Sequence, residues 1–470
     1  MADVFDLCIV GGGPAGYTGA IRARQLGLTV ACVEKRKTLG GTCLNTGCIP
    51  SKALLDSSEH FYFAKNKMAK HGILTESVRL DLGAMMKRKD GVVKSLTQGI
   101  AGLFKKNGVT HIEGAAKLLK PQGGVFNVQV TLGAGGTQVV QARRLLLATG
   151  SEPIELPFLK FDQKRVLSST EVLSLEVLPK DLIVVGGGYI GLEMASVWSR
   201  LGTKVTVVEY LSDLLPMSDQ QVARELFKAL TKQGIEFKLG TKCLGSKVDA
   251  SGVTLDVEQG GQKSQLRAEY VLVCTGRRPF TDNLGLEDVG VQKDDKGRVL
   301  IDTHFETNIK GIWAVGDIVD GPMLAHKAEE EAVAAVEIMS GRAGHVNYEV
   351  IPSVIYTWPE LASVGRTEEE LKSEARAYKV GTFPLLANAR AKAMDESEGL
   401  VKVLADAQTD TVLGVHIFAP RASDMIAEAA AVMEFGGSSE DIARTCHGHP
   451  TLSEALKEAA LAVEKRQINF

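Results

Sequence analysis

Phe5–Glu34, FDLCIVGGGPAGYTGAIRARQLGLTVACVE, reads as a strand, a glycine turn, a helix and a second strand closed by an acid. Phe5 to Val10 is an apolar strand run, the helical pattern lasts to Gly27, and Thr29 to Val33 is apolar again. Gly11 makes the tight turn, Gly13 lets a pyrophosphate approach the backbone, and Gly16 lets the helix pack on the sheet. The phosphates then rest on the N–H groups of the helix N-terminus. Glu34, 23 positions after Gly11, falls where a carboxylate accepts hydrogen bonds from a ribose hydroxyl. A bare G-x-G-x-x-G is weak evidence, but both strands and the acid make this a dinucleotide site.

The device returns in Asp181–Glu209, DLIVVGGGYIGLEMASVWSRLGTKVTVVE. Gly186, Gly188 and Gly191 take the three glycine places, and Glu209 stands 23 positions after Gly186. Two nucleotides, one a tightly held flavin, suit a chain that moves electrons. Glu209 would repel a 2'-phosphate where an NADP enzyme places Arg, so the second cofactor is expected to be NAD.

What the electrons reach is suggested by Thr42–Lys52, TCLNTGCIPSK. Five extended residues would part the cysteine Cα atoms by roughly 17 Å, beyond the roughly 4.4–6.8 Å of a disulfide. An ideal helix still leaves roughly 7.5 Å of rise, so a distorted turn is needed for Cys43 and Cys48 to close and reopen. Pro50 favours a helix starting near Cys48, where a thiolate is stabilised. The alternative is two ordinary buried thiols, and the spacing alone does not decide between them.

A length of 470 residues suggests about three domains. The net charge of -3 gives no footprint for nucleic acid or an anionic membrane, and no apolar run reaches a membrane span. The start, MADVFDLCIV, runs into a strand pattern with no targeting segment visible, and five of the seven cysteines stand singly. A reducing compartment with one special pair follows.

Arg144–Gly150, RLLLATG, and Tyr270–Gly276, YVLVCTG, are strands ending in Thr-Gly, and each marks where the chain leaves one domain for another. Short alternating runs between Phe104 and Val140 suggest a small antiparallel sheet inserted in the first domain, and Val248 to Leu266 looks similar. Asp317, ending IWAVGD, either hydrogen-bonds a flavin side chain or caps the next helix, and local chemistry favours the cap. The partition is 1–150 for FAD, 151–277 for NAD, 278–348 as a central second part of the FAD domain, and 349–470 as an interface domain. The fold class is α/β, with two Rossmann-like domains plus central and C-terminal α+β regions.

The chain closes on CHGHPTLSE, Cys446–Glu454. Histidines two apart match no common zinc spacing, so no metal is expected. An acid/base role suits thiol chemistry better. Glu454 has a purely structural reading: Thr451-Leu452-Ser453-Glu454 is a capping box.

Taken with GGGPAGY, GGTCLNTGCIPSKALL, GGGYIGLE, CTGRRP, AVGDI, MLAHKAEEE, PSVIYTWPELASVG and HGHPTLSE in this order, the chain resembles the dihydrolipoyl dehydrogenases among the flavin disulfide reductases. The resemblance covers essentially the whole chain. CLNTGCIPSK favours this branch over glutathione and trypanothione reductases, and the ending QINF lacks the C-terminal cysteines of mercuric and large thioredoxin reductases.

The resemblance implies that Cys43 is the interchange thiol and Cys48 the thiolate lying against the flavin. It implies an ion pair of Lys52 with Glu193 beside the ring, where Glu193 could otherwise be a helix-surface carboxylate. Gly150, Gly276, Asp317 and Ala325 are implied to bind cofactor. His449, supported by Glu454, is implied to be the base, supplied across a homodimer. FAD, NAD and a lipoyl-bearing carrier domain of an acyltransferase or glycine-cleavage protein are the implied cofactors and partner, in a bacterial cytoplasm or, after processing, a mitochondrial matrix. Another disulfide or quinone reductase, or a non-catalytic nucleotide-binding subunit, would be the alternatives. The last predicts decay of the cysteine pair or of His449, and both are intact.

Overall fold

The computed structural model describes residues 4–470. They form two compact units: one takes the chain to Leu54, then Asp81–Ile154 and Gly276–Val346, and the other takes Leu55–Leu80, Glu155–Thr275 and Asn347–Phe470.

In the first unit β1 (Leu7–Val10), α1 (Pro14–Gln25) and β2 (Val30–Glu34) form the anticipated strand, helix and strand. Their seven-stranded sheet runs in the order Ile312–Ala314, Leu145–Leu147, β1, β2, Thr110–Gln122, Val125–Leu132, Thr137–Ala142. The first five strands pair in parallel and the last three antiparallel. The expected inserted antiparallel strands are present, and they share strand Thr110–Gln122 with the parallel sheet. Thr110–Glu113 pairs with Ala31–Glu34, and the same strand then turns to its antiparallel neighbour at Gly114, where a Cβ would press within 2.5 Å of the Thr131 carbonyl oxygen.

Helix α1 carries Ala15, Gly16, Gly19, Ala20 and Ala23 on its buried face, so it lies close against the sheet and against helix Ala325–Met339. The opposite face of the sheet is covered by a second apolar cluster that includes Val128, Val130, Leu284, Leu286 and Ile318.

In the second unit a five-stranded parallel sheet runs Glu236–Lys238, Lys204–Val208, Asp181–Val185, Tyr270–Val273, Val166–Leu167. A separate three-stranded antiparallel sheet, Thr241–Asp249, Gly252–Gln259 and Gln262–Ala268, starts a little earlier than its alternating pattern suggested. The C-terminal part is a five-stranded antiparallel sheet whose buried residues pack with helices Ala422–Glu434 and Glu454–Val463. Strand Val412–Ala419 is buried at every position. Among the described residues no helix is long and apolar enough to cross a membrane.

Candidate active site

The distorted turn between the two cysteines is a broken helix. Helix α2 (Gly41–Thr46) carries Cys43, Gly47 interrupts it at φ −142° and ψ −114°, and α3 (Cys48–Asn66) restarts with Cys48 as its first residue. A Cβ at Gly47 would lie 2.9 Å from the Thr42 carbonyl oxygen and 3.4 Å from the Cys43 Cα, so no side chain fits between the sulfurs' supports. Cys43 is half-buried and Cys48 exposed. The Cys43 thiol is pushed well above its ordinary range by its hydrogen bond to the Cys48 sulfur, by burial and by the charges of Cys48 and Glu329, while Lys52 pulls the other way. Cys48 opens α3, and a helix N-terminus favours a thiolate.

The two glycine fingerprints are superimposable in their chemistry. Gly11 and Gly186 take left-handed φ values of 107° and 108°. A Cβ at Gly16 would meet the Gly11 carbonyl oxygen at 1.8 Å, and one at Gly191 the Gly186 carbonyl oxygen at 2.2 Å, so packing within the chain demands both third glycines. Gly188 differs, since a Cβ there meets nothing within 4 Å, and at Gly13 the nearest atom is 3.6 Å away. These second glycines leave open space at the N-termini of α1 and helix Tyr189–Leu201, as a pyrophosphate needs.

Glu34 accepts from the Gly12 N–H at 2.7 Å and the Arg36 N–H at 2.8 Å. Glu209 repeats this with Gly187 at 2.6 Å and Leu211 at 2.9 Å. Each carboxylate is held at the end of its second strand with lone pairs left for ribose hydroxyls. The residues present fit two dinucleotides.

Gly150 and Gly276 end the two Thr-Gly strands, and the segments after them, Ser151–Pro153 and Arg277–Pro279, pair antiparallel. Ser151 donates its hydroxyl to Asp317 at 2.5 Å, and Arg277 donates to the Ser151 hydroxyl and carbonyl oxygens at 2.7 Å each. Asp317 does not cap the following helix. That helix starts at Ala325 after Leu324, too far along the chain for Asp317 to reach its first turn. The Asp317 turn is clamped from behind by a fully buried pair, Lys327 and Glu331, 3.0 Å apart: Glu331 accepts the Gly316 N–H and Lys327 donates to the Gly316 carbonyl.

Lys52 lies in the first turns of α3, in the first unit. Glu193 lies on helix Tyr189–Leu201 in the second, where it is buried and accepts the Tyr356 N–H at 3.2 Å, so it is no helix-surface carboxylate.

His449 Nδ1 is 2.9 Å from Glu454 Oε1, and the imidazole is 71% exposed. The other Glu454 oxygen accepts the Thr451 N–H at 2.7 Å, the return half of the capping box. The outward half is missing: the Thr451 hydroxyl donates to the Gly448 carbonyl, and the helix begins at Glu454. Burial works to raise the Glu454 carboxyl, but the Thr451 N–H and His449 together hold it below its ordinary value. His447 turns away to a different carboxylate, Glu428.

Tyr17 and Glu329 escape sequence reasoning. The Tyr17 hydroxyl donates to Glu329 at 2.7 Å, and burial with the charges of Glu329, Cys43 and Cys48 pushes its phenol well up. The only available signal was a tyrosine one turn into the first fingerprint helix and an acid four places after Ala325.

Residues 5–332 match the family model described as pyridine nucleotide-disulphide oxidoreductase, and residues 351–460 match that family's dimerisation domain. The chain is 52% identical to dihydrolipoyl dehydrogenase 1, mitochondrial, of Arabidopsis thaliana, covering 100% of this chain and 92% of the relative. It is 53% identical to dihydrolipoyl dehydrogenase 3 of Pseudomonas putida, with 98% of each covered. Among solved structures, LpdA of Mycobacterium tuberculosis superposes with a TM-score of 0.90 at 27% identity, covering 97% of this chain and 98% of the other.

Proposed function

From the premise that the chain belongs to the pyridine nucleotide-disulphide oxidoreductases, and within them to the dihydrolipoyl dehydrogenases, we propose the residues that carry its reaction. The enzyme oxidises dihydrolipoyl groups using FAD and NAD, which supply the two-electron relay and the final hydride acceptor. A substrate thiolate attacks the Cys43 sulfur of the Cys43–Cys48 disulfide, and Cys48 leaves as a thiolate. The second substrate thiolate then attacks the substrate's bonded sulfur, closing the lipoyl disulfide and releasing Cys43. The substrate loses two electrons and the cysteine pair gains them; His449 takes the proton of the first attacking thiol, and Cys43, released as a thiolate, takes the proton of the second.

Lys52 and Glu193 are assigned to the flavin ring, Glu34 and Gly11, Gly13 and Gly16 to FAD, and Glu209 with Gly186, Gly188 and Gly191 to NAD. Gly150, Gly276, Asp317 and Ala325 complete the FAD contacts. Residues 351–460 are the dimerisation domain, and the exposed His449 imidazole within it is assigned to the partner subunit's disulfide. The substrate is proposed to arrive on the lipoyl-bearing domain of an acyltransferase or glycine-cleavage carrier. The relatives include mitochondrial and bacterial enzymes, and the singly placed cysteines suit a reducing compartment, a bacterial cytoplasm or a mitochondrial matrix.

The observation that carries this reading is the broken helix at Gly47, which joins the two sulfurs by a hydrogen bond and starts α3 on Cys48. Replacing each cysteine by serine tests it. Cys43→Ser should leave a Cys48 thiolate and give the flavin-loaded resting enzyme a long-wavelength absorbance that Cys48→Ser lacks. The opposite pattern reverses the assignment.

A further inference from the structure

The closing motif holds a second histidine that the reaction above leaves unused. His447 is only 5% exposed in its side chain, against 71% for His449 two residues on. Its Nδ1 lies 2.9 Å from the Thr445 carbonyl oxygen and its Nε2 lies 2.6 Å from Glu428 Oε1. A carbonyl oxygen can only accept, so Nδ1 carries a proton. The short contact at Nε2 needs a second proton between ring and carboxylate, which makes it a charge-assisted bond.

Glu428 belongs to helix Ala422–Glu434, whereas His447 sits in the connection between helices Ser439–Arg444 and Glu454–Val463. The bond therefore ties this connection to an element outside it. A second tether lies on the far side of His449, where Asn388 donates to the Thr451 carbonyl at 3.0 Å. The Thr451 hydroxyl bond to Gly448 and the Lys457 ammonium bond to Thr445 link the connection only to itself or to the helix that follows. His449 is thus bracketed by two anchors, and the one before it is His447 with Glu428.

We infer that His447 and Glu428 are positioning residues for dihydrolipoyl oxidation: their bond fixes the backbone before His449 so that its imidazole stays on Glu454 and aimed at the substrate thiol. The inference rests on the reading of His449 as the base. It gives the His447 imidazole no contact with substrate or cofactor. A buried ion pair that merely stabilises the C-terminal part would change unfolding without favouring one half of the reaction, whereas a positioning pair acts only where His449 acts.

Three variants of the FAD-loaded dimer separate these roles. Glu428→Ala removes the anchor at a partly exposed position, so the protein is expected to fold. Misplacing a reacting group by about 1 Å costs on the order of 10²-fold, so Glu428→Ala should lower kcat for dihydrolipoamide oxidation about 10- to 100-fold. Reduction of ferricyanide by NADH, which takes no proton from a dithiol, should stay within about twofold of wild type, a margin well inside that loss. Glu428→Gln should rescue the turnover, because a neutral His447 can donate from Nδ1 to Thr445 and accept at Nε2 from the amide. In a His449→Gln background, Glu428→Ala should cause no further loss.

Full dihydrolipoamide turnover in Glu428→Ala would overturn the inference, as would an equal loss in both reactions, or a Glu428→Gln variant as slow as Glu428→Ala. His449→Gln alone tests the reading beneath it. If that variant keeps full turnover the base assignment fails, whereas a slow His449→Gln beside a fast Glu428→Ala removes only the positioning role.

Discussion

His449 and Glu454 are joined Nδ1 to Oε1 at 2.9 Å while the second Glu454 oxygen holds the Thr451 N–H at 2.7 Å. One carboxylate thus ties the backbone before the last helix and holds the imidazole, two roles that the sequence sets up as rivals. Loss of a helix cap alone costs about 1 kcal/mol of stability and little turnover. Glu454→Gln should instead lower dihydrolipoamide turnover and alter its pH dependence, because imidazolium loses its counter-charge. Paired melting and steady-state measurements check this, and a change in melting alone would leave only the cap.

His449→Gln should reduce dihydrolipoamide oxidation about 10²- to 10⁴-fold, the usual contribution of a general base. Flavin reduction by NADH should stay nearly intact. Stopped-flow measurement of each half-reaction separates the two, and equal losses would show that His449 is structural.

Glu209 is expected to set nicotinamide choice. Both its oxygens accept backbone N–H groups at the end of the second fingerprint, so the carboxylate cannot swing aside cheaply for a 2'-phosphate. The kcat/KM for NAD should exceed that for NADP, and Glu209→Gln should narrow the gap by relieving the repulsion. A wild-type preference for NADP would refute the assignment.

A buried network is expected to contribute to the acid sensitivity of the fold. Lys402 donates to Asp219 at 2.7 Å and to Glu368 at 2.5 Å, and fully buried His416 stands among their charges. Burial opposes ionisation of Glu368, yet bonds from Lys372, Lys402 and Tyr378 bring its carboxyl down to about 2 from an ordinary 4.5. Burial likewise lowers the His416 imidazole below its ordinary 6.5. Both groups bind protons more readily unfolded than folded. Their stabilisation is complete above their ordinary values, and is lost for His416 as pH falls below 6.5 and for Glu368 as it falls from 4.5 through about 2. Lys402→Met leaves the buried Asp219 carboxylate without its cation, while Glu368 keeps Lys372, and should cost about 3–5 kcal/mol near neutral pH, read by urea unfolding. An unchanged midpoint would show the network to be dispensable.

The parts of this molecule that local chemistry dictates are the parts legible in its sequence. Gly11 and Gly186 need left-handed backbone, Gly16 and Gly191 need the absence of a Cβ, and Glu34 and Glu209 close each unit at a fixed offset. Local chemistry favours a cap over a flavin contact for Asp317 because its observed partner, Ser151, lies 166 residues away. Tyr17 with Glu329 and Asp219 with Lys402 are likewise joined across 312 and 183 residues. The antiparallel strands after Thr110 read correctly as strands, but their fusion with the parallel sheet depends on which edge lay open, which alternation does not encode.

Steady-state turnover of dihydrolipoamide with NAD, set against glutathione disulfide with NADPH, in the wild type and Cys43→Ser tests the central claim most directly. The account predicts rapid NAD-dependent oxidation of dihydrolipoamide, negligible glutathione disulfide reduction, and loss of the first activity in Cys43→Ser. Preferential reduction of glutathione disulfide, or full dihydrolipoamide turnover without Cys43, would contradict it.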